Sequence, residues 1–282
     1  MSGAGGTSKG AAAALMAPAL LVVAIVFLAP LVRLFAMSFE AKAGPMATYL
    51  EVLGDPIYRH VFVNTFVVSA TVTVVAIAIA YPTAFALTRI GPAWRTLLFA
   101  CVLFPLWISV LVRTFSWMLL LERNGPINRA LVGSGLIDQP LSLLFNRTGV
   151  LIGMVQVLLP YAVLPIYAAV LRIDPALIRA SEGLGASRLR TFLSVLLPLS
   201  MRGVATAATF VFLLALGFFI TPALLGGPAS MTLSMLIDSL VNERLDWPLA
   251  AAASMVLMVA ALIVVGLAGR FVSVRAIAEA HR

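Results

Sequence analysis

Charge is scarce in this chain. Of its 282 residues, 11% are Asp, Glu, Lys or Arg and 62% are apolar, whereas a soluble domain carries about 25% charged residues. That balance argues against a water-soluble globule. Cysteine is scarcer still, since Cys101 stands alone and so excludes a disulfide framework or a cysteine metal cluster. It reads as a small packing residue. His60 and His281 lie in no metal-helix or nucleophile pattern, and no G-x-x-x-x-G-K-[ST] phosphate loop occurs, so no metal, cofactor or ATP hydrolysis is expected of this chain itself. Acids are missing from the apolar stretches, where proton- or sodium-coupled carriers commonly place them. A membrane channel, or the passive half of an energised transporter, remains.

What is present is a series of long uncharged runs. They hold 23 residues between Lys9 and Arg33, 29 between Arg59 and Arg89, 24 between Arg147 and Arg172, 35 between Arg202 and Asp238 and 23 between Asp246 and Arg270. A further 26 lie between Arg95 and Glu122, interrupted by Arg113. Each can hold one crossing of a hydrocarbon core that needs about 20 helical residues. Continuous apolar runs without strand alternation select helices, which satisfy their own backbone in lipid. The expected fold is an all-α membrane protein with six transmembrane helices, near residues 12–35, 62–88, 96–121, 148–171, 200–223 and 248–269. A flexible terminus (residues 1–11) precedes the membrane domain (12–270) and a short tail (271–282) follows. The first apolar run is too long for a signal peptide of the usual 7 to 15 apolar residues, so an uncleaved span is expected.

Six crossings place both termini on one side. With the termini inside, the inner segments hold 11 Lys and Arg and the outer loops six, with three acids inside and eight outside. The basic excess therefore predicts cytoplasmic termini. Nucleic-acid binding would need those cations gathered on one exposed surface, whereas here they sit at membrane boundaries.

The inner loop between the fourth and fifth spans, residues 172–199, is the most informative. Asp174 followed by Pro175 is an N-cap with a first-turn proline, and Gly185 is a helix stop, which predicts a helix of about ten residues. Leu177, Ala180, Ser181 and Leu184 then share one face. Ser187 can cap a second helix from Arg188, and Pro198 falls near the entry of the fifth span, where its missing N–H costs least. Helical physics alone leaves two readings. The loop either projects toward another protein or lies on lipid headgroups with its arginines on phosphates.

Arg179-Ala180-Ser181, three residues, Gly185, nine residues, Val195, one residue and Leu197-Pro198 resembles the EAA loop of ABC importer permeases, E-A-A-x3-G-x9-I-x-L-P. The resemblance implies a type I importer permease fold with a cytoplasmic coupling helix seated in a groove of an ATP-binding subunit. Arg179, Ala180, Ser181, Glu182, Gly185 and Ala186 would make that contact, and Asp174, Pro175, Val195, Leu197 and Pro198 would shape it. Arg179 departs from the family's Glu, so any ion pair made by the usual carboxylate is absent, inverted or supplied by Glu182. A weak Arg179–Glu182 pair within the helix, worth about 0.2–0.5 kcal/mol, is the alternative.

PLWISVLVRTFSW (105–117), GFFITPALLGGP (217–228) and NERLDWPLA (242–250) are similar to the first permease of spermidine/putrescine-type importers. This resemblance implies four kinds of partner in a bacterial inner membrane: a second homologous permease, two ATP-binding subunits holding ATP and Mg, an extracytoplasmic binding protein, and lipid. Related importers carry amino acids, opines, anions or ferric iron, and from another class a stand-alone channel or secondary carrier stays open.

Trp107, Arg113, Trp117, Glu122, Asp238 and Asp246 are the candidates for the substrate path. A charge at mid-membrane costs about 2.5–3.5 kcal/mol on insertion scales, so Arg113 must face protein or water. It is either a gate residue, which would repel a polyamine and attract an anion, or a structural arginine bonded to carbonyls or an acid. Ammonium groups bind aromatic faces and carboxylates, yet tryptophans at membrane boundaries also serve as anchors, and outer acids as solvated loop charges. Gly226, Gly227 and Pro228 predict an outer turn, with Met231, Met235 and Leu236 packing on a short outer helix.

Overall fold

A computed structural model describes residues 9–41 and 44–280, with residues 9–15 and 271–280 described in backbone alone. Among the described residues all regular structure is helical. The expected flexible terminus lies outside the described residues up to residue 8, and α1 (Lys9–Val23) already begins at Lys9. A π segment, Ala24–Leu28, joins it to α2 (Ala29–Met37); α3 (Ala47–Gly54) and α4 (Pro56–Arg89) follow. Then come α5 (Pro92–Leu103), α6 (Val110–Leu121), α7 (Pro126–Gly133) and α8 (Arg147–Leu171). The sequence after α8 forms α9 (Pro175–Gly183) and α10 (Arg188–Thr191), and a π segment, Phe192–Leu196, leads into α11 (Leu197–Leu216). The chain closes with α12 (Ile220–Leu225), α13 (Leu233–Asn242) and α14 (Trp247–Ala280). Met231, expected on the short outer helix, precedes α13.

The chain divides into two compact units. The larger takes Pro56–Leu236 and the residues from Leu257 onward; its centre is α4, α8 and α11. Each of these helices buries a stripe at a spacing of three to four: Val68, Val72, Ala76, Ala80, Ala84 and Leu87 on α4, Val150, Met154, Leu158, Ala162, Ile166 and Val170 on α8, and Ala207, Val211 and Ala215 on α11. That spacing puts each set on one helical face. In lipid such faces meet by van der Waals packing, and small residues let the backbones approach. Gly203 shows the fit, since a Cβ there would lie 2.7 Å from the Pro165 carbonyl oxygen and against the Ala169 methyl. Polar stitches fix the same contacts: the Tyr81 and Ser200 hydroxyls are 2.7 Å apart and buried, and the Tyr81 ring meets Phe192 edge-on at 5.3 Å.

The smaller unit takes the chain up to Asp55 together with Ile237–Val256. Within it, Ser38 is fully buried and bonds the Tyr49 hydroxyl at 2.7 Å, while Thr48 donates to the Ser38 carbonyl. Arg33 pairs with Glu40 at 2.6 Å.

The third apolar stretch departs from the expected single helix over 96–121. Helix α5 runs into a 3-10 turn at Phe104–Trp107, Ile108 and Ser109 are extended, and α6 restarts at a bend of 105°. Pro105 supplies no N–H for the helical ladder and crowds the preceding turn, so the helix ends there.

Candidate functional site

Two places in the larger unit gather the candidate residues. The first is the loop after α8. The Asp174 carboxylate accepts from the Ala176 N–H at 2.8 Å and caps α9, as Asp-Pro at a helix entry favours. Gly185 takes φ +82°, a left-handed conformation that stops the helix at low cost. The Ser187 hydroxyl accepts from the Arg190 N–H at 3.3 Å and caps α10. Ser181 and Thr191 bond across the bend at 3.0 Å, which fixes one short helix against the other.

The outer surface of this projection carries exposed leucines among its charged side chains. Leu184 is 90% exposed, and Leu177 and Leu189 are exposed as well. Arg179 and Ala180 are exposed, Ser181 and Ala186 half-buried, and no salt bridge joins Arg179 to Glu182. Glu182 instead lines a cavity of about 520 Å³ with Phe85, Arg89, Ile178, Arg188 and Phe192. The Arg89 guanidinium lies 5.0 Å from the Phe85 ring centre, a cation–π arrangement. Val195 is half-buried, Leu197 opens α11, and Pro198 sits in its first turn.

The second place is the inner face of α6. Arg113, Thr114 and Trp117 fall on that face. Thr114 bonds Thr221 of α12 at 3.1 Å, and the Trp117 indole N–H donates to the Gln156 side chain of α8 at 3.3 Å. Arg113 is 8% exposed, and its Nε and Nη1 are buried without a hydrogen-bond partner. No salt bridge joins it to any described carboxylate. Glu122, just beyond the end of α6, is exposed, and its carbonyl receives the Asn128 amide at 3.2 Å.

The remaining candidates lie apart. Trp107 is 78% exposed on the 3-10 turn. Asp238 and Asp246 belong to the smaller unit, where Asp238 accepts from Asn242 at 2.8 Å and Asp246 caps α14 through the Leu249 N–H at 3.2 Å. Asp246 also lines a cavity of about 480 Å³ in that unit with Glu40, Glu51 and Arg244. Among the described residues no three His, Cys, Asp or Glu side chains group as a metal site.

Gln156, Thr221 and the Tyr81–Ser200 pair were not legible as functional positions in the sequence. Gln156 did leave a signal, a lone amide within an otherwise uncharged apolar run, where a polar side chain needs a partner.

A bundle of apolar helices with a capped two-helix projection and a polar face on a broken helix defines a multi-pass membrane transport subunit. Residues 73–277 match the family of binding-protein-dependent transport system inner membrane components. The chain belongs to that family, and is a permease subunit of an ABC importer in a bacterial inner membrane. It is 31% identical over 222 residues to the spermidine/putrescine transport system permease protein PotB of Escherichia coli (strain K12), covering 79% of this chain and 80% of that one. It is 34% identical over 207 residues to the PotB of Haemophilus influenzae, covering 73% and 72%. In fold it is similar to a chain of a bacterial alginate ABC transporter in complex with an alginate pentasaccharide-bound periplasmic protein, with a TM-score of 0.77 at 20% identity over 90% and 91% of the two chains.

Proposed function

We propose that this permease forms half of the translocation path for a polyamine-like small solute. A second, homologous permease supplies the other half, an extracytoplasmic binding protein delivers the solute, and two ATP-binding subunits carrying ATP and Mg drive the cycle. Both termini lie in the cytoplasm, as the excess of inner cations favours. The spermidine/putrescine name of the relatives supports the solute class.

The observation that carries the driven-transport reading is the α9–α10 projection. It is capped at both helix starts, braced by the Ser181–Thr191 bond, and leaves Leu184 almost wholly in solvent. Exposed leucines on a fixed, cytoplasm-facing tip suit a groove in another protein. Motion of the ATP-binding subunits then reaches α11 through α10 and the π segment, because these run into one another without a break. Arg179 stands where the family has Glu, and we assign it an acidic or neutral contact on the ATP-binding subunit.

Reconstitution of all four components in proteoliposomes with radiolabelled putrescine or spermidine tests the proposal. ATP-dependent uptake is the expected result. Formation of the complex with uptake of neither amine would reject the solute class, and failure to recruit an ATP-binding subunit would reject the assembly. Arg179→Glu should lower solute-stimulated ATPase activity several-fold; unchanged activity would argue against direct contact.

A further inference from the structure

Arg113 is the least satisfied charge in the described core. It is nine-tenths buried, with Nε and Nη1 bonded to nothing, in one of the chain's long apolar stretches. A guanidinium in such surroundings is costly unless a charge meets it. A second feature of the chain points to the same chemistry. The 105° break ahead of α6 frees the start of a twelve-residue helix, and the Ser109 side chain leaves that start uncapped. The first intrahelical acceptor contact is made by the Arg113 N–H to the Ser109 carbonyl at 3.1 Å. The three N–H groups before it have no acceptor within the helix and carry the positive end of its dipole.

Helical side chains lean toward the N-terminus of their own helix, which places a residue one turn in, such as Arg113, within reach of those N–H groups. Broken membrane helices whose half-helix N-termini face the path receive anionic groups there. Guanidinium adds the forked donors that a carboxylate matches in two places at once. The polar neighbours on this face, Thr114 with Thr221 and Trp117 with Gln156, already bond one another and leave Nε and Nη1 of Arg113 as free donors.

We propose that the start of α6 and Arg113 form a carboxylate-binding site at the break in the third apolar stretch. The carboxylate is carried either by the transported solute or by an acidic side chain of the second permease. This rests on the reading of the chain as a path-forming permease and refines the solute class: a solute that engages the site bears an acid as well as any amine.

The test uses the complete importer in proteoliposomes, with wild type, Arg113→Gln and Arg113→Lys. The probes are putrescine and δ-aminovalerate, which differ by a carboxylate in place of one ammonium. Recovery of the second permease on purification is measured alongside uptake and ATPase activity. The proposal expects a charge-specific result. Arg113→Gln should lose at least about tenfold, the scale of one charge-assisted hydrogen bond, while Arg113→Lys, which keeps the charge and loses the fork, retains clearly more activity than glutamine. A loss confined to δ-aminovalerate assigns the carboxylate to the solute. An equal loss of both probes, or reduced recovery of the second permease with glutamine but not lysine, assigns it to the partner chain. Glutamine behaving as wild type, or glutamine and lysine failing alike, overturns the site. Should wild type move neither probe, the polyamine reading fails separately, and the same charge dependence is read from ATPase activity and recovery.

Discussion

The α4–α8–α11 core and the α9–α10 projection belong to one unit and are built on opposite rules. The core is held by faces of small and branched side chains that leave no space, so that Gly203 cannot accept even a methyl group without striking Pro165 and Ala169. The projection buries almost nothing. It owes its shape to two caps, one left-handed glycine and one hydroxyl pair, and turns its leucines outward. A body that resists deformation and a tip shaped by local bonds alone are what a lever requires, since a force on the tip is passed on only by a stiff neighbour.

Substitutions in the two regions should therefore fail in different ways. The largest effect is expected from Gly203→Leu, which forces α11 away from α8. Overpacking costs about 1–3 kcal/mol or more, and the membrane level and thermal stability of the importer should fall together. Next is Leu184→Asp. A surface change costs about 0.5 kcal/mol or less in stability, so the protein should accumulate normally while solute-stimulated ATPase activity drops about tenfold, or ~1.4 kcal/mol of contact with the ATP-binding subunit. The smallest is Asp174→Ala. Loss of the cap destabilises α9 by about 1 kcal/mol, and hydrogen exchange should quicken in α9 and leave α8 unchanged. If Leu184→Asp lowered membrane level as much as Gly203→Leu, the division between body and tip would be wrong.

The projection was readable from sequence because its signals are local. Asp174-Pro175, Gly185 and Ser187 each act within a few residues, and every one does what its chemistry predicts. The apolar stretches were readable as helices for the same reason, from composition and length. What sequence did not disclose was which proline breaks a helix. Pro160 and Pro165 lie inside α8 and leave it continuous over 25 residues, whereas Pro105 ends α5. Helix α8 is packed along its length by α4 and α11, and neighbours hold a helix together where one ladder bond is missing. Pro105 lies in a stretch exposed at Phe104, Leu106 and Trp107, with less around it to do so. Arg113 was legible as an anomaly, but that its Nε and Nη1 stay unbonded follows from how the helices around it meet. The same holds for Gln156 and Thr221, whose roles exist only across helices.

The most direct test replaces the exposed Cys101 by serine and places a single cysteine by Leu184→Cys in the assembled importer. Without the ATP-binding subunits a membrane-impermeant maleimide should label it only from the cytoplasmic side, and in the assembled importer it should be shielded and a short bifunctional maleimide should join it to an ATP-binding subunit. Labelling from outside sealed cells, or a freely reactive thiol that the bound ATP-binding subunit does not shield, would contradict the account.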